Sequence, residues 1–209
     1  MELQGLYRIQ KKDLAKCAEV SARAFITDPA LIYQFGGKIP SYRRLKRYFD
    51  VIFQTGFPYY DFFAPSENIE GVIGLLPPNT DSVPPMEFLL RGGWKMPFTV
   101  CRGLLGRLDQ YEIHSMKMRE DANAMDAWYV MMFAVDPEEQ GKGHGAKMLR
   151  AFLAEMDTEG SNCYLETHKL VNTDIYHHFG FEIVSIDTVP DGTDTQYAML
   201  RQPVSVRAE

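Results

Sequence analysis

One stretch, residues 128–146, constrains this chain more than any other, because a long apolar run ends there in a cluster of glycines. Residues 128–135 are almost wholly apolar and rich in β-branched and aromatic side chains, which predicts a strand buried on both faces. Gly141, Gly143 and Gly145 follow, and apolar side chains then recur at helical spacing. A strand, a glycine turn and a helix start in this order present backbone N–H groups and a positive helix dipole to a phosphate group.

Two common phosphate-binding loops do not fit these glycines. A P-loop requires Gly-Lys-Ser/Thr, whereas Gly145 is followed by Ala-Lys-Met, and a dinucleotide fingerprint requires Gly-x-Gly-x-x-Gly. The pattern present is Gln-x-x-Gly-x-Gly, formed by Gln140, Gly143 and Gly145. It resembles the coenzyme A pyrophosphate loop of the GCN5-related N-acetyltransferase (GNAT) family, and the preceding Val-Asp-Pro-Glu is also typical of that family. The alternative is a glycine-rich turn that only caps an ordinary helix.

The C-terminal part carries the second portion of the resemblance. Tyr-Leu-Glu-Thr at residues 164–167, then Asn172, then Tyr-x-x-Phe-Gly-Phe from Tyr176 are closest to the branch that contains puromycin N-acetyltransferase. In that branch a His often precedes the Trp-Tyr of the central strand, whereas Asp126-Ala127 stand here. This departure puts puromycin itself in question as the substrate. The resemblance covers about residues 128–203, and the first half matches only in the order of its elements.

The resemblance implies an α/β (α+β) GNAT fold, with a central mixed, mostly antiparallel sheet of six to seven strands flanked by helices. Hydrophobic periodicity predicts strands at residues 6–10, 59–64, 69–76, 128–135, 162–167, 181–187 and 196–201. It predicts helices at residues 13–24 and 41–55, after the glycine loop, and from an Asn172 cap with Ile175 and Phe179 on the core face. We expect residues 1–209 to form a single domain, in which residues 77–125 are an insert of two or three helices.

Charge and cysteine content limit the partners and the compartment. The net charge of −6 disfavours a nucleic-acid partner and mildly favours a cationic small substrate. Three widely spaced cysteines match neither a disulfide framework nor a metal site, so no metal is expected. The first residues lack an apolar signal core and no stretch approaches a membrane span. We therefore predict a cytoplasmic protein without a membrane partner.

The resemblance implies acetyl-CoA as cosubstrate. Loop N–H groups would hold the pyrophosphate, with Lys142 available for charge. In the family the central strand diverges from its neighbour and pairs with the pantetheine arm, which makes the Val135 N–H a candidate oxyanion donor. Asn172 is expected near the pantetheine, as a helix cap, or as both. The residues assigned to the cofactor are Phe133, Ala134, Val135, Gln140, Gly141, Lys142, Gly143, His144, Gly145, Ala146, Asn172 and Tyr176.

Two residues are candidates for proton transfer. Tyr176 corresponds to the family tyrosine that protonates the leaving thiolate, and a phenol with an ordinary pKa of about 10 is protonated at neutral pH. A packing role is the alternative. Glu166 lies on a strand, on the side shared with Tyr164, and would accept the amine proton directly or through water. A structural carboxylate is an equally good interpretation.

These assignments predict an enzyme that transfers an acetyl group from acetyl-CoA to a primary amine of a small molecule or peptide, directly, in a ternary complex. An acyl-enzyme on Cys163 is the less favoured route. The alternative function is a non-catalytic acyl-CoA-binding sensor or interaction module on the same fold. Antibiotics, polyamines, amino acids, peptide N-termini and lysines all stay open as acceptors, as do acyl groups longer than acetyl. A homodimer, common in the family, is also left open.

Overall fold

The computed structural model of the protein describes residues 1–80, 83–100 and 105–204. Its strands are β1 (Tyr7–Arg8), β2 (Asp61–Ala64), β3 (Gly71–Leu76), β4 (Trp128–Val135), β5 (Cys163–Thr167), β6 (Glu182–Thr188) and β7 (Thr195–Arg201). Its helices are α1 (Leu14–Ala24), α2 (Pro29–Gln34), α3 (Tyr42–Gly56), α4 (Pro85–Leu90), α5 (Met96–Val100), α6 (Leu105–Asp121), α7 (His144–Glu159) and α8 (Leu170–His178).

The most apolar segment of the chain, β4, lies at the centre of the sheet. Within the described residues the sheet has seven strands in the order β1-β2-β3-β4-β5-β7-β6. Every neighbouring pair is antiparallel except β4 and β5, which run parallel. The predicted mixed, mostly antiparallel sheet flanked by helices is therefore confirmed.

Helices cover both faces of this sheet. Helices α1 and α3 pack on one face, where Phe49 and other buried side chains meet Met132 of β4. Helix α7 packs on the other face, where Phe152 is buried beside Val130 of β4. Across the described residues, no helix combines the length and the apolar character needed to span a bilayer.

A bulge at Met131 shifts the alternation of side chains within β4. The register with β3 passes from Val130 to Met132, so Met131 has no partner on that strand. An extra residue moves the two-residue period by one, which places Phe133 and Val135 on the α7 side together with Val130. Trp128 and Val130 are buried on the α7 side and Met132 on the α1 side, so the prediction of a strand buried on both faces is confirmed, although every second residue is only half-buried.

Within the described residues, the insert before β4 contains helices α4, α5 and α6, in agreement with the predicted two or three helices. Helix α6 runs from Leu105 to Asp121 and includes the polar residues that begin at Asp109. Asp109 and Gln110 are exposed, so they lie on the solvent side of one amphipathic helix and do not interrupt it. Cys101 lies outside the described residues.

The short helix α2 was not predicted, because the pair Asp28-Pro29 can end one helix and also begin the next. Asp28-Pro29 follows the end of α1, where a proline cannot continue a helix. The same pair begins α2: Pro29 occupies the first turn, and the Asp28 carboxylate accepts the Leu31 N–H at 3.3 Å. This cap places the Asp28 carboxylate near the residues discussed below.

We predict that Asp157→Asn lowers the free energy of unfolding by about 2 kcal/mol at neutral pH, because it weakens a charge-assisted pair. Asp157 on α7 receives two hydrogen bonds of 2.8 Å from Arg201 at the end of β7. These bonds hold the pKa of the Asp157 carboxyl below its ordinary value. Its stabilising contribution is thus present above the ordinary pKa of about 3.9 and is lost as the pH falls through the lowered value.

Urea unfolding of both proteins at neutral and at strongly acidic pH checks this expectation. The difference between them shrinks in acid, where the wild-type carboxyl is itself protonated. Asp126→Asn, at an exposed carboxylate, is the matched control and leaves stability nearly unchanged. A loss of equal size at both pH values would contradict the assignment.

Candidate functional site

Strands β4 and β5 pair over only the first three residues of each. The pairs are Trp128 with Cys163, Tyr129 with Tyr164, and Val130 with Leu165. Beyond them the described residues contain no further pair between these two strands. A gap therefore opens in the middle of the sheet, between residues 131–135 of β4 and the end of β5.

The backbone of β4 directs particular groups into this gap. The Asp136 N–H donates to the Glu70 carbonyl beside β3 at 2.9 Å, and Ala134 pairs with β3 two residues earlier. Successive residues of a strand point their N–H and C=O groups to opposite sides. Phe133 and Val135 therefore turn these groups toward the gap, whereas the Ala134 backbone faces β3.

The loop between β4 and α7 leaves a row of N–H groups open. Gly141 and Gly143 have φ angles of 78° and 84°, a region that side-chain-bearing residues rarely adopt. A Cβ atom added at either would meet nothing within 4 Å, so the space beside both is empty. Within the described residues, the N–H groups of residues 143–146 donate no hydrogen bond, and a hydrogen-bonded turn at residues 140–141 precedes them. Unpaired N–H groups are usual in the first turn of any helix, and here the empty space beside Gly141 and Gly143 leaves them accessible.

The side chains of this loop are mostly engaged with one another. The Gln140 amide donates to the Val135 carbonyl at 3.2 Å, and Lys142 lies 2.8 Å from Glu139. The His144 imidazole is 3.5 Å from the same carboxylate. What the loop offers to an anion is therefore mainly its backbone N–H groups and the start of α7.

Helix α8 begins at Leu170, so the prediction that Asn172 caps it is wrong. Asn172 lies in the first turn, and its amide donates to the Thr167 hydroxyl at the end of β5 at 3.1 Å. The predicted core face is also wrong, since Ile175 is 51% exposed. Thr173 and Tyr176 are the buried residues of this helix, because the Tyr176 ring packs toward the sheet.

The Tyr176 ring lies on the α7 side of the gap. It is 8% exposed, and its centroid lies 6.3 Å from that of Phe133 and 6.0 Å from that of Phe181. Burial, and then the Asp28 carboxylate, raise the pKa of this phenol. Within the described residues its hydroxyl has no hydrogen-bond partner. The group is therefore a protonated donor that is free to bind a ligand.

Glu166 is the first residue of β5 beyond the last β4–β5 pair, at the point where the gap begins. Its carboxylate accepts hydrogen bonds from four side chains: Ser115, Tyr129 at 3.3 Å, Tyr164 at 2.7 Å and Gln196 at 2.7 Å. Burial raises its pKa, and these donors act in the opposite direction. The predicted side, shared with Tyr164, is confirmed. Three of these donors meet Oε2 and only Tyr164 meets Oε1, so Oε1 keeps one lone pair.

Sequence reasoning did not connect a second polar group on the same side of the sheet. The Tyr111 hydroxyl of α6 lies 2.8 Å from His168 Nε2, and His168 Nδ1 lies 3.1 Å from Asp194. The negative charge of the Asp28 carboxylate raises the pKa of both His168 and Tyr111, beside the larger effect of burial on each. The available signal was that His168 stands two residues after Glu166, on the same side of an extended segment.

A separate cleft of about 350 Å³ lies beside the loop. It is lined by Lys16, Arg23, Asn68, Ile69, Glu70, Asp136, Glu138 and Glu139. Carboxylates outnumber cations there, and Arg23 is already paired with Asp136, so this cleft suits an anion poorly. Within the described residues, no three His, Cys, Asp or Glu side chains are grouped as a metal site would require.

Comparisons with known proteins agree with this geometry. Residues 108–183, from α6 to the start of β6, match the model of the acetyltransferase (GNAT) domain. The chain is 27% identical, over 188 residues, to an uncharacterized N-acetyltransferase of Schizosaccharomyces pombe. That alignment covers 83% of this chain and 72% of the yeast protein.

Solved structures share the fold along nearly the whole chain. A protein of Corynebacterium glutamicum, described as histone acetyltransferase HPA2 and related acetyltransferase, aligns with a TM-score of 0.65 and 15% identity, over 99% of this chain and 100% of its own. The ribosomal-protein-S18-alanine N-acetyltransferase of Escherichia coli aligns with a TM-score of 0.54 and 14% identity, over 98% and 96%. The PaiA N-acetyltransferase of Thermoplasma acidophilum, solved with coenzyme A, aligns with a TM-score of 0.50 and 14% identity, over 97% and 99%. Residues 108–183 are thus similar to the GNAT acetyltransferase domain, as the sequence motifs predict, and the chain shares its fold with these acetyltransferases.

Proposed function

We propose that this protein transfers an acetyl group from acetyl-CoA to a primary amine of a small molecule or peptide, directly, in a ternary complex. Similarity to the GNAT acetyltransferase domain supports acetyl-CoA-dependent N-acetyltransfer. The observation that carries the proposal is the row of unpaired N–H groups at residues 143–146, which adjoins the gap between β4 and β5. The puromycin branch stays a prediction.

In this proposal the loop binds the pyrophosphate and the gap binds the pantetheine arm. N–H groups of residues 140–146 and the start of α7 would neutralise the pyrophosphate, with Lys142 adding charge that Glu139 partly offsets. The gap-facing groups of Phe133 and Val135 would pair with the amides of pantetheine, which satisfies backbone groups left without a strand partner. The Val135 N–H would then point at the thioester oxygen. Ala134 would contribute only its small buried side chain.

The departing thiolate needs a proton, and Tyr176 is the donor that we propose. Its phenol is protonated at neutral pH because burial raises its pKa. Its hydroxyl has no competing partner among the described residues. The Asn172 side-chain amide donates one hydrogen bond to Thr167. Its second N–H and its carbonyl oxygen would contact the pantetheine.

Burial of the cysteines supports direct transfer. Cys17 and Cys163 are each 0% exposed, and burial raises the pKa of both thiols to about 12. A thiol must ionise to attack a thioester, so neither side chain suits an acyl-enzyme.

The E. coli relative is named for a ribosomal protein alanine as its acceptor. For this chain we propose a primary amine that approaches from the side of α6, where Glu166 marks the start of the gap. Because four donors already hold the Glu166 carboxylate in place, we propose that it stabilises the ammonium ion electrostatically rather than removing its proton.

We predict that Gly143→Glu weakens acetyl-CoA binding by at least about a hundredfold, or about 2.7 kcal/mol. The new side chain would occupy the empty space beside the loop and would place a negative charge where the pyrophosphate is proposed to bind. Isothermal titration calorimetry measures the loss. Gly160→Glu is the matched control, since Gly160 has a φ angle of 69° and open space at the other end of α7. Equal binding by wild type and Gly143→Glu would contradict the loop assignment.

We predict that Tyr176→Phe lowers kcat by about a hundredfold while the acetyl-CoA dissociation constant changes little, because only a proton donor is removed. Thiol release with a panel of amines measures kcat. Tyr7→Phe is the control, since it removes a hydroxyl that bonds Asp13 at 2.8 Å on β1, away from the gap. Full activity of Tyr176→Phe would refute the role. Wild-type binding without thiol release for any amine would favour the sensor function instead.

A further inference from the structure

The Tyr111, His168 and Asp194 side chains form a continuous hydrogen-bonded chain. Tyr111 lies on α6, His168 follows β5, and Asp194 immediately precedes β7. The two distances are 2.8 Å and 3.1 Å, and the Tyr111 and His168 rings lie 5.9 Å apart. The His168 side chain is only 5% exposed, so bulk water does not compete for these bonds.

The chemistry of the three groups fixes the direction of the chain. Asp194 is an acceptor when ionised, so the proton of a neutral His168 lies on Nδ1. Nε2 then carries a lone pair, and the Tyr111 hydroxyl must donate to it. Burial lowers the pKa of His168 and raises that of Tyr111 well above its ordinary value, which keeps the imidazole neutral and the phenol protonated. The Tyr111 oxygen keeps lone pairs with which to accept a further proton.

Charged groups approach His168 from several elements. Asp194 comes from the segment between β6 and β7, and Asp28 from the start of α2; both favour the imidazolium ion. Burial raises the pKa of Asp28, and the positive charge of Lys169, the next residue after His168, lowers it. The Asp28 and Asp194 carboxylates would therefore balance the positive charge of His168 when it takes up a proton.

Tyr111 lies where an acceptor amine would enter the gap. Ser115, one turn further along α6, hydrogen-bonds Glu166 at the start of the gap, and the Glu166 carboxylate also acts on the pKa of Tyr111. Tyr111 thus lies on the α6 side of the sheet, with Glu166, whereas the Tyr176 ring packs beside Phe133 on the α7 side.

We propose that Tyr111 is the catalytic residue that takes the proton of the acceptor ammonium ion and passes its own proton to His168, which Asp194 positions. This inference rests on the proposed function. An ammonium N–H bond breaks and a bond to the Tyr111 oxygen forms, while the Tyr111 O–H proton moves to His168 Nε2. The freed amine attacks the thioester carbonyl, the C–S bond then breaks, and Tyr176 protonates the sulfur. The proton left on the new amide nitrogen returns to Tyr176, and His168 releases its proton to water.

The kinetic test compares Tyr111→Phe and His168→Gln with Tyr33→Phe, which removes a neighbouring hydroxyl that bonds Gln110 at 3.3 Å. We expect kcat of the first two variants to fall by about a hundredfold near neutral pH. The loss should shrink by roughly tenfold per pH unit as the amine deprotonates unaided, while acetyl-CoA affinity and the Tyr33→Phe rate stay near wild type. A drop that is equal at all pH values, or no drop, would overturn the relay.

A second measurement on the wild type does not depend on turnover or on the folding of any variant. Imidazole ¹⁵N NMR should find His168 neutral and protonated on Nδ1 at neutral pH. A cationic ring, or a proton on Nε2, would overturn the relay even if amines are acetylated. If no amine is acetylated, the proposed function is wrong whatever the NMR result. The relay is then also wrong, because it has no ammonium proton to accept.

Discussion

The end of the β4–β5 pairing after Val130 is the constraint on which the rest of the site depends. Paired parallel strands satisfy each other's backbone groups, whereas the gap-facing groups of Phe133 and Val135 have no partner on β5. The Met131 bulge turns those residues toward α7, and a Cβ atom added at Gly145 would lie 3.5 Å from each of these two side chains, so the helix start is close to the strand. The opening in the sheet and the open loop thus form one continuous surface that matches an elongated ligand with amides at one end and phosphates at the other.

The same opening joins two environments of different polarity. On the α7 side, Tyr176 lies among aromatic side chains, and its hydroxyl has no partner among the described residues. On the α6 side lie two hydrogen-bonded groups that carry carboxylate charge: Glu166 with its four donors, and Tyr111 with His168 and Asp194. A thioester in the gap would expose its sulfur to the first side and its carbonyl carbon to the second. The separation of a proton donor from a proton acceptor follows from which face of the sheet each side chain occupies.

Sequence patterns predicted the features that depend on local composition. The bounds of β4, the glycine loop, the sheet class and the orientation of Glu166 toward Tyr164 all follow from apolar runs, glycines and strand alternation. The Met131 bulge could not be predicted in this way, because it depends on the register with β3. The start of α8 was misplaced because Asn172 has a capping side chain but uses it on Thr167. The link from Tyr111 to His168 joins residues far apart in the chain, and no periodic signal connects them.

Hydrogen exchange of the β4 amides tests the central claim, that the cofactor takes the place of the missing strand partner. With saturating acetyl-CoA, we predict that the Phe133 and Val135 amides exchange at least about tenfold more slowly than in the free protein. The Ala134 amide, which faces β3, should be protected equally in both states. This alternation by single residues would not arise from general stabilisation. Unchanged exchange at Phe133 and Val135, or the same slowing at all three positions, would contradict the account.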